Sequence, residues 1–320
     1  MALACLRVSV DMKHYKGLAA VTMENELLQL TVLPELGAKI ASLIYKPQNF
    51  EVFFQPANNE YRLSSYAANF AEYDTAGADE LYPTIDACTY PYEGYAGTSL
   101  PDHGDLWSIP WRVLTTGKQL LAQVSGPSLP YGFTRRITLV NNQVHLQYQL
   151  KNCGAMPLYG IWAFHGLTAC DESSQIILPG TDRVVNVHNS ALLGPAGTKH
   201  GFPATVSQAG DTCRLDRIKP RAAKTTAKFY IDGKVRRGEA AVTLNHNRLL
   251  YQLLFPADRI PYLGVWVNQG GFKGEYNCAL EPTNGFYDSL ATTQQLGSLA
   301  PVAPGNILAW YLIINLEAVS

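Results

Sequence analysis

Thr134-Arg135-Arg136-Ile137-Thr138-Leu139-Val140, then Asn141-Asn142, then Val144-His145-Leu146-Gln147-Tyr148-Gln149-Leu150, is the stretch that decides the fold. Its second arm alternates apolar and polar residues, the period of a strand with one buried face. Two asparagines between the arms tolerate the positive φ that a two-residue hairpin turn requires. The arms therefore read as neighbours in an antiparallel sheet.

The same signals recur outward from this hairpin. Residues 27–33 read as a strand ended by Pro34, which cannot donate a ladder hydrogen bond. Gly37 permits a reversal, and 39–45 make the next strand. Downstream, strands are expected at 158–164, 175–178, 183–187, 227–231, 240–244, 249–255, 262–267, 278–281 and 307–316. Long runs with a 3.6-residue period are missing, as are repeats, low-complexity tracts and linkers. One large antiparallel β-sandwich over residues 1–320 is the expected architecture. The longest stretch without regular signal is 69–105, rich in Tyr and Pro and poor in Lys. Such a segment is expected to be ordered and functional.

Apolar residues make up 47% of the chain and charged residues 16%, enough for a core and too little charge for disorder. The net charge of −1 provides no steering toward nucleic acid or an anionic membrane. A mildly basic run, 214–237, reads as a solvated face. No apolar run approaches the roughly 18 residues of a membrane span. Met1 to Cys5 lacks the basic start and long apolar region of a secretory signal, so an unprocessed, cytoplasmic chain is expected. The six cysteines are scattered without a Cys-x-x-Cys pair, which fits reduced core residues rather than disulfides or zinc.

Glu281 lies in Ala279-Leu280-Glu281-Pro282, where little water is expected, and burial makes a carboxylate a better proton acceptor near neutral pH. His165 ends the aromatic run Gly160-Ile161-Trp162-Ala163-Phe164, and Gly166 after it leaves room for an approaching group. His103 sits between Asp102 and Asp105, with Trp107 and Trp111 close by. Acids, histidines and aromatics together suit a sugar, whose hydroxyls want polar partners and whose C–H faces want an apolar platform. Trp162 and Trp266 fall within strand patterns, where core packing is the plain alternative. No two histidines have the spacing of a helical metal site, so no metal is expected. No phosphate loop, dinucleotide fingerprint or nucleophile elbow is present.

Leu33-Pro34-Glu35-Leu36-Gly37-Ala38-Lys39-Ile40-Ala41-Ser42-Leu43 resembles the opening of the aldose 1-epimerases, or galactose mutarotases. The order of the later pieces is also similar: Asp102-His103-Gly104-Asp105, then His165, then Glu281. The resemblance runs from about residue 20 to the C-terminus. It implies an all-β, galactose-mutarotase-like antiparallel β-supersandwich. It further implies Glu281 as general base on the anomeric hydroxyl, His165 as general acid on the ring oxygen, and His103 as a sugar-binding histidine. The implied partner is a small-molecule sugar, with no cofactor, and a homodimer is compatible. The family's Asn-Arg pair is not matched by Arg62. Its sugar-gripping aspartate has as stand-ins Asp79 and the segment of Trp266. A carbohydrate-binding protein without turnover is the alternative on the same fold, and a lyase using the tyrosines of 82–95 is a third.

Overall fold

A computed structural model describes residues 9–73 and 75–319. The expectations placed on Met1 to Cys5 lie outside the described residues. The deciding hairpin is present: Tyr131–Val140 pairs antiparallel with Gln143–Asn152 around Asn141-Asn142. Of the two asparagines only Asn141 takes a positive φ, at 53°.

Two large antiparallel sheets contain the hairpin and most of the other strands. The smaller has eight strands, in the order Ile176–Ile177, Glu239–Leu244, Leu249–Leu254, Ile307–Ala318, Gln143–Asn152, Tyr131–Val140, Gln119–Ser125 and Arg112–Thr116. The larger has twelve. Its path begins Ser9–Tyr15, Leu18–Glu24, Leu28–Leu33, Lys39–Tyr45, Ala78–Leu81, and continues Ala163–Thr168, Tyr276–Thr283, Tyr262–Gln269, Thr225–Ile231, Arg183–Asn186, Lys199–Gly201. Phe50–Glu51 adds to Lys39–Tyr45 off that path. The main apolar cluster draws on both sheets, with Leu30, Ile40, Phe164, Val265 and Leu280 from one and Ile137, Leu146, Tyr251 and Leu312 from the other. Each such aliphatic or phenylalanine side chain contributes about 1.5–3 kcal/mol by leaving water.

Several strands expected from the sequence differ in extent. The run 158–164 becomes sheet only at Ala163, because a Cβ at Gly160 would meet the Tyr82 ring at 2.3 Å and Ile161 bonds Pro83 instead of a strand. His165 therefore lies inside its strand, Ala163–Thr168, and Glu281 lies inside Tyr276–Thr283, two residues before its end. Within 69–105 the strand Ala78–Leu81 joins Lys39–Tyr45 to the His165 strand. Its two adjacent acids hid it, yet both are buried. Asp79 is ion-paired with Lys39, while Glu80 accepts from Arg135 (2.9 Å), Tyr148 (2.8 Å) and Trp162 (2.8 Å). The basic run 214–237 is not wholly a solvated face, because Lys228 is 9% exposed. Among the five described cysteines, Cys170, Cys213 and Cys278 are buried, Cys88 is half-buried and Cys153 is exposed; all are free. No helix among the described residues is long and apolar enough to cross a membrane.

Candidate active site

Strand register builds the site. Pairing of Ala163 with Thr283 and of Gly166 with Leu280 sets His165 beside Glu281 on the next strand. Glu281 in turn faces Gly264, and Gly264 faces Tyr230. His165 also pairs with Asp79 on its other side. The period of two in each strand turns Asn277, Glu281, His165, Trp266, Lys228 and Tyr230 to the face away from the main core. Gly264 is needed in this row: a Cβ there would come within 3.1 Å of the Tyr230 ring.

A cavity of about 230 Å³ opens above this face. Its apolar lining includes Phe70, Ile85, Leu167, Trp266 and Phe272. Its polar lining includes Asp86, Asp102, His103, His165, His188, Lys228, Glu275, Asn277 and Asp288. Asn277 is buried, and neither its amide N–H₂ nor its carbonyl oxygen has a partner. A sugar hydroxyl, both donor and acceptor, could satisfy such an amide.

Glu281 is sealed, with 0% exposure. One carboxylate oxygen is ion-paired with Lys228, and the other is unpartnered, 4.0 Å from Nε2 of His165. A pyranose does not fit between the two, because adjacent strands fix their separation; it would sit above them. Burial raises the pKa of Glu281 against the pull of Lys228. His165 is held neutral, because burial pushes its pKa well below the usual histidine value and the nearby His103, Lys228 and Lys39 add to that.

The ion pairs continue sideways. Lys228 Nζ lies 3.9 Å from Oδ2 of Asp288, and that oxygen is 3.1 Å from Nε2 of His188. Tyr230 donates to Oδ1 of Asp288 at 2.6 Å. Burial alone would raise the pKa of Asp288, but Lys228 and the hydrogen bonds from His188 and Tyr230 outweigh it and hold the carboxyl at about 2. Its hydrogen bond raises the pKa of His188. Asp86, His188 and Asp288 place one atom each within 4.8 Å of one another, close enough for a cation. Lys228 already supplies positive charge there from within the protein, 3.9 Å from Asp288.

His103 lines the cavity stacked on Phe70 (3.9 Å between centroids), with its Nδ1 3.0 Å from Asp102. Its loop depends on Gly104, whose φ is +70° and where a Cβ would lie 2.3 Å from the Tyr82 carbonyl oxygen. Trp107 is 2% exposed and does not line the cavity; it packs edge-on against Phe70 and donates to the carbonyl of Asp102. Asp79 is likewise behind the lining, tied to Lys39. Trp266 is half-buried and does line it. Trp111 and Trp162 are core, and His200 is buried on Leu193 and Thr205. The space left by Gly166 is taken by the rings of Phe164 and Phe53. Lys228, Asp288, His188, Asp86 and Asn277 were not singled out by sequence. A lysine inside a strand pattern was the available signal for the first.

No protein-family model and no curated protein matches the sequence. Solved structures do match the fold. The Slr1438 protein of Synechocystis sp. PCC 6803 aligns with a TM-score of 0.72 at 15% identity, over 95% of this chain and 98% of its own. A galactose mutarotase related enzyme from Lactobacillus acidophilus aligns at 0.67 and 13%, over 94% and 98%. A Klebsiella pneumoniae protein provisionally named an aldose 1-epimerase aligns at 0.71 and 14%, over 97% and 83%. The chain thus has the galactose mutarotase-like fold, an all-β antiparallel supersandwich.

Proposed function

We propose that this protein is a cofactor-independent aldose 1-epimerase, interconverting the α and β anomers of a hexose by acid/base ring opening. The observation that carries this reading is the His165–Glu281 pair at the floor of a cavity that also offers aromatic faces and a free amide. Opening a cyclic hemiacetal requires one proton taken from the anomeric hydroxyl and one delivered to the ring oxygen. Since Glu281 is sealed, His165 is the member of the pair that meets the sugar. A neutral imidazole accepts a proton, and the carboxylate behind it steadies the imidazolium formed. This reverses the sense expected from the resemblance, in which His165 donates. Names borne by the fold neighbours support the reaction class.

Polarimetry or NMR saturation transfer over a panel of α-hexoses tests the reading. Wild type should exceed the buffer rate for at least one sugar, and His165→Asn should lower that rate by about 10²–10⁴-fold. A wild-type rate equal to buffer for every sugar rejects it. The second reading, a carbohydrate-binding protein without turnover, is favoured by one observation, the full burial and ion pairing of Glu281. Sugar binding without any rate increase would establish it.

A further inference from the structure

We propose that the sugar held in this cavity is a cationic one, a hexose carrying a protonated amine, and that Asp86 is the residue that selects the charge. The inference deepens the epimerase reading by naming the substrate class of the same site, and it rests on that reading for turnover.

Carboxylates dominate the polar lining. Asp86, Asp102, Glu275 and Asp288 line the cavity and Glu281 is sealed beneath it, whereas Lys228 is the one lysine or arginine in the lining among the described residues. All but one of these carboxylates have a basic partner. Asp102 lies 3.0 Å from Nδ1 of His103, Glu275 lies 3.8 Å from Nζ of Lys273, Asp288 lies 3.1 Å from Nε2 of His188, and Glu281 is ion-paired with Lys228. Asp86 is the exception. It is half-buried, and among the described residues its carboxylate has neither an ion pair nor a hydrogen-bond donor. Beside it stand Asp288, a like charge, and His188, which is already hydrogen-bonded to Asp288. Burial and Asp288 raise the pKa of Asp86 against the opposing pull of His188 and Lys228, as expected for a carboxylate short of positive charge.

The walls strengthen this preference. Phe70, Trp266 and Phe272 are apolar lining, so the negative field is less screened than at an open surface. An ammonium entering the cavity is attracted and can donate to Asp86. A sugar phosphate or uronate is repelled, and no arginine lines the cavity to meet it.

An ammonium by itself does not account for Asn277. That amide is buried in the same lining with donor and acceptor both unpartnered, and it needs a ligand group that accepts and donates in turn, as a hydroxyl does. One molecule that carries an amine for Asp86 and hydroxyls for Asn277 is an amino sugar.

The test is NMR titration and anomer exchange with glucose and galactose, their 2-amino and 6-amino analogues and their 6-phosphates, at a pH where the amines are charged. One amino sugar is expected to bind at least about 10-fold more tightly than its neutral parent, the gain of a hydrogen bond to a charged group, and the phosphates are expected not to compete. Asp86→Asn keeps the shape and removes the charge, so it should bring the ratio of the two affinities down to about one, while Asp86→Glu should retain part of the preference. The wild-type panel decides even where a variant fails to fold. Amino sugars bound no more tightly than their neutral parents overturn the inference, and leave the epimerase reading intact where any sugar exceeds the buffer rate. A preference for the amine with no rate above buffer upholds the charge selection and rejects the epimerase reading. A ratio unchanged in folded Asp86→Asn overturns the assignment to Asp86.

Discussion

Lys228 is ion-paired with Glu281 on one side and lies 3.9 Å from Asp288 on the other, in a floor with almost no exposure. One ammonium thus serves two buried carboxylates, and burial, which would lower its pKa, is outweighed by Asp288 and Glu281. Removing it leaves two like charges facing each other away from water. Lys228→Met is therefore expected to cost about 3–5 kcal/mol at neutral pH. Adding Glu281→Gln should restore part of that loss, because the pair is coupled. Urea unfolding of both variants checks this. A loss below about 1 kcal/mol for the single variant would mean the ammonium is dispensable.

Asp288 links the same network to pH. Its carboxyl titrates at about 2 in the fold against an ordinary 3.8, so the folded state binds the proton more weakly than the unfolded one. The stabilisation is present above pH 4 and is lost as pH falls toward 2. It amounts to about 2 kcal/mol. Glu281 has the opposite sign: its raised pKa favours the protonated form, so its contribution weakens as pH rises through the folded value. The difference in urea stability between wild type and Asp288→Asn, followed from pH 6 to pH 2, should shrink by about that amount. A pH-independent difference would contradict the assignment.

Much of the fold was legible because strand alternation is local. The arms of the hairpin around Asn141 carry their own period, and Pro34 and Gly37 mark their own turn. His103, His165 and Glu281 were legible as chemistry, though not their relation, since cross-strand register is a property of pairing partners. Lys228 was hidden by its company: it sits in a run of basic residues that otherwise face water, and its burial follows only from the strand it shares with Phe229 and Tyr230. Ala78–Leu81 was hidden for the converse reason, since Asp79 and Glu80 read as solvated until Lys39 and Arg135 are brought to them. The tryptophans show the same limit, because composition suggests a sugar platform but not which ring faces it.

Trp107 and Trp266 should therefore respond differently to truncation. Trp107 is enclosed and braces Phe70, the ring beneath His103. Trp107→Ala is expected to lose about 3–5 kcal/mol of stability through the cavity it leaves. Trp266 lines the cavity and is only half-buried. Trp266→Ala should lose less stability and act on the substrate, raising KM with a smaller change in kcat. Thermal unfolding and anomer-exchange kinetics on both variants separate the two roles. Equal stability losses with unchanged KM would remove Trp266 from the sugar platform.

Asn277 offers the sharpest separation of stability from function. Its amide is buried with donor and acceptor both unpartnered, a cost of about 1–3 kcal/mol for the protein. Such a cost is tolerable where a ligand satisfies the group, and Asn277 lines the cavity beside Trp266 and Lys228. Leucine has the same number of side-chain heavy atoms in the same branched arrangement and no polar atoms. Asn277→Leu is expected to leave stability unchanged or raise it by about 1 kcal/mol, while sugar affinity falls by at least about 10-fold. Differential scanning calorimetry provides the first quantity and NMR titration with the preferred hexose the second. If affinity holds while stability rises, the amide is a packing defect with no part in recognition; if stability falls by several kcal/mol, it has a structural partner in solution.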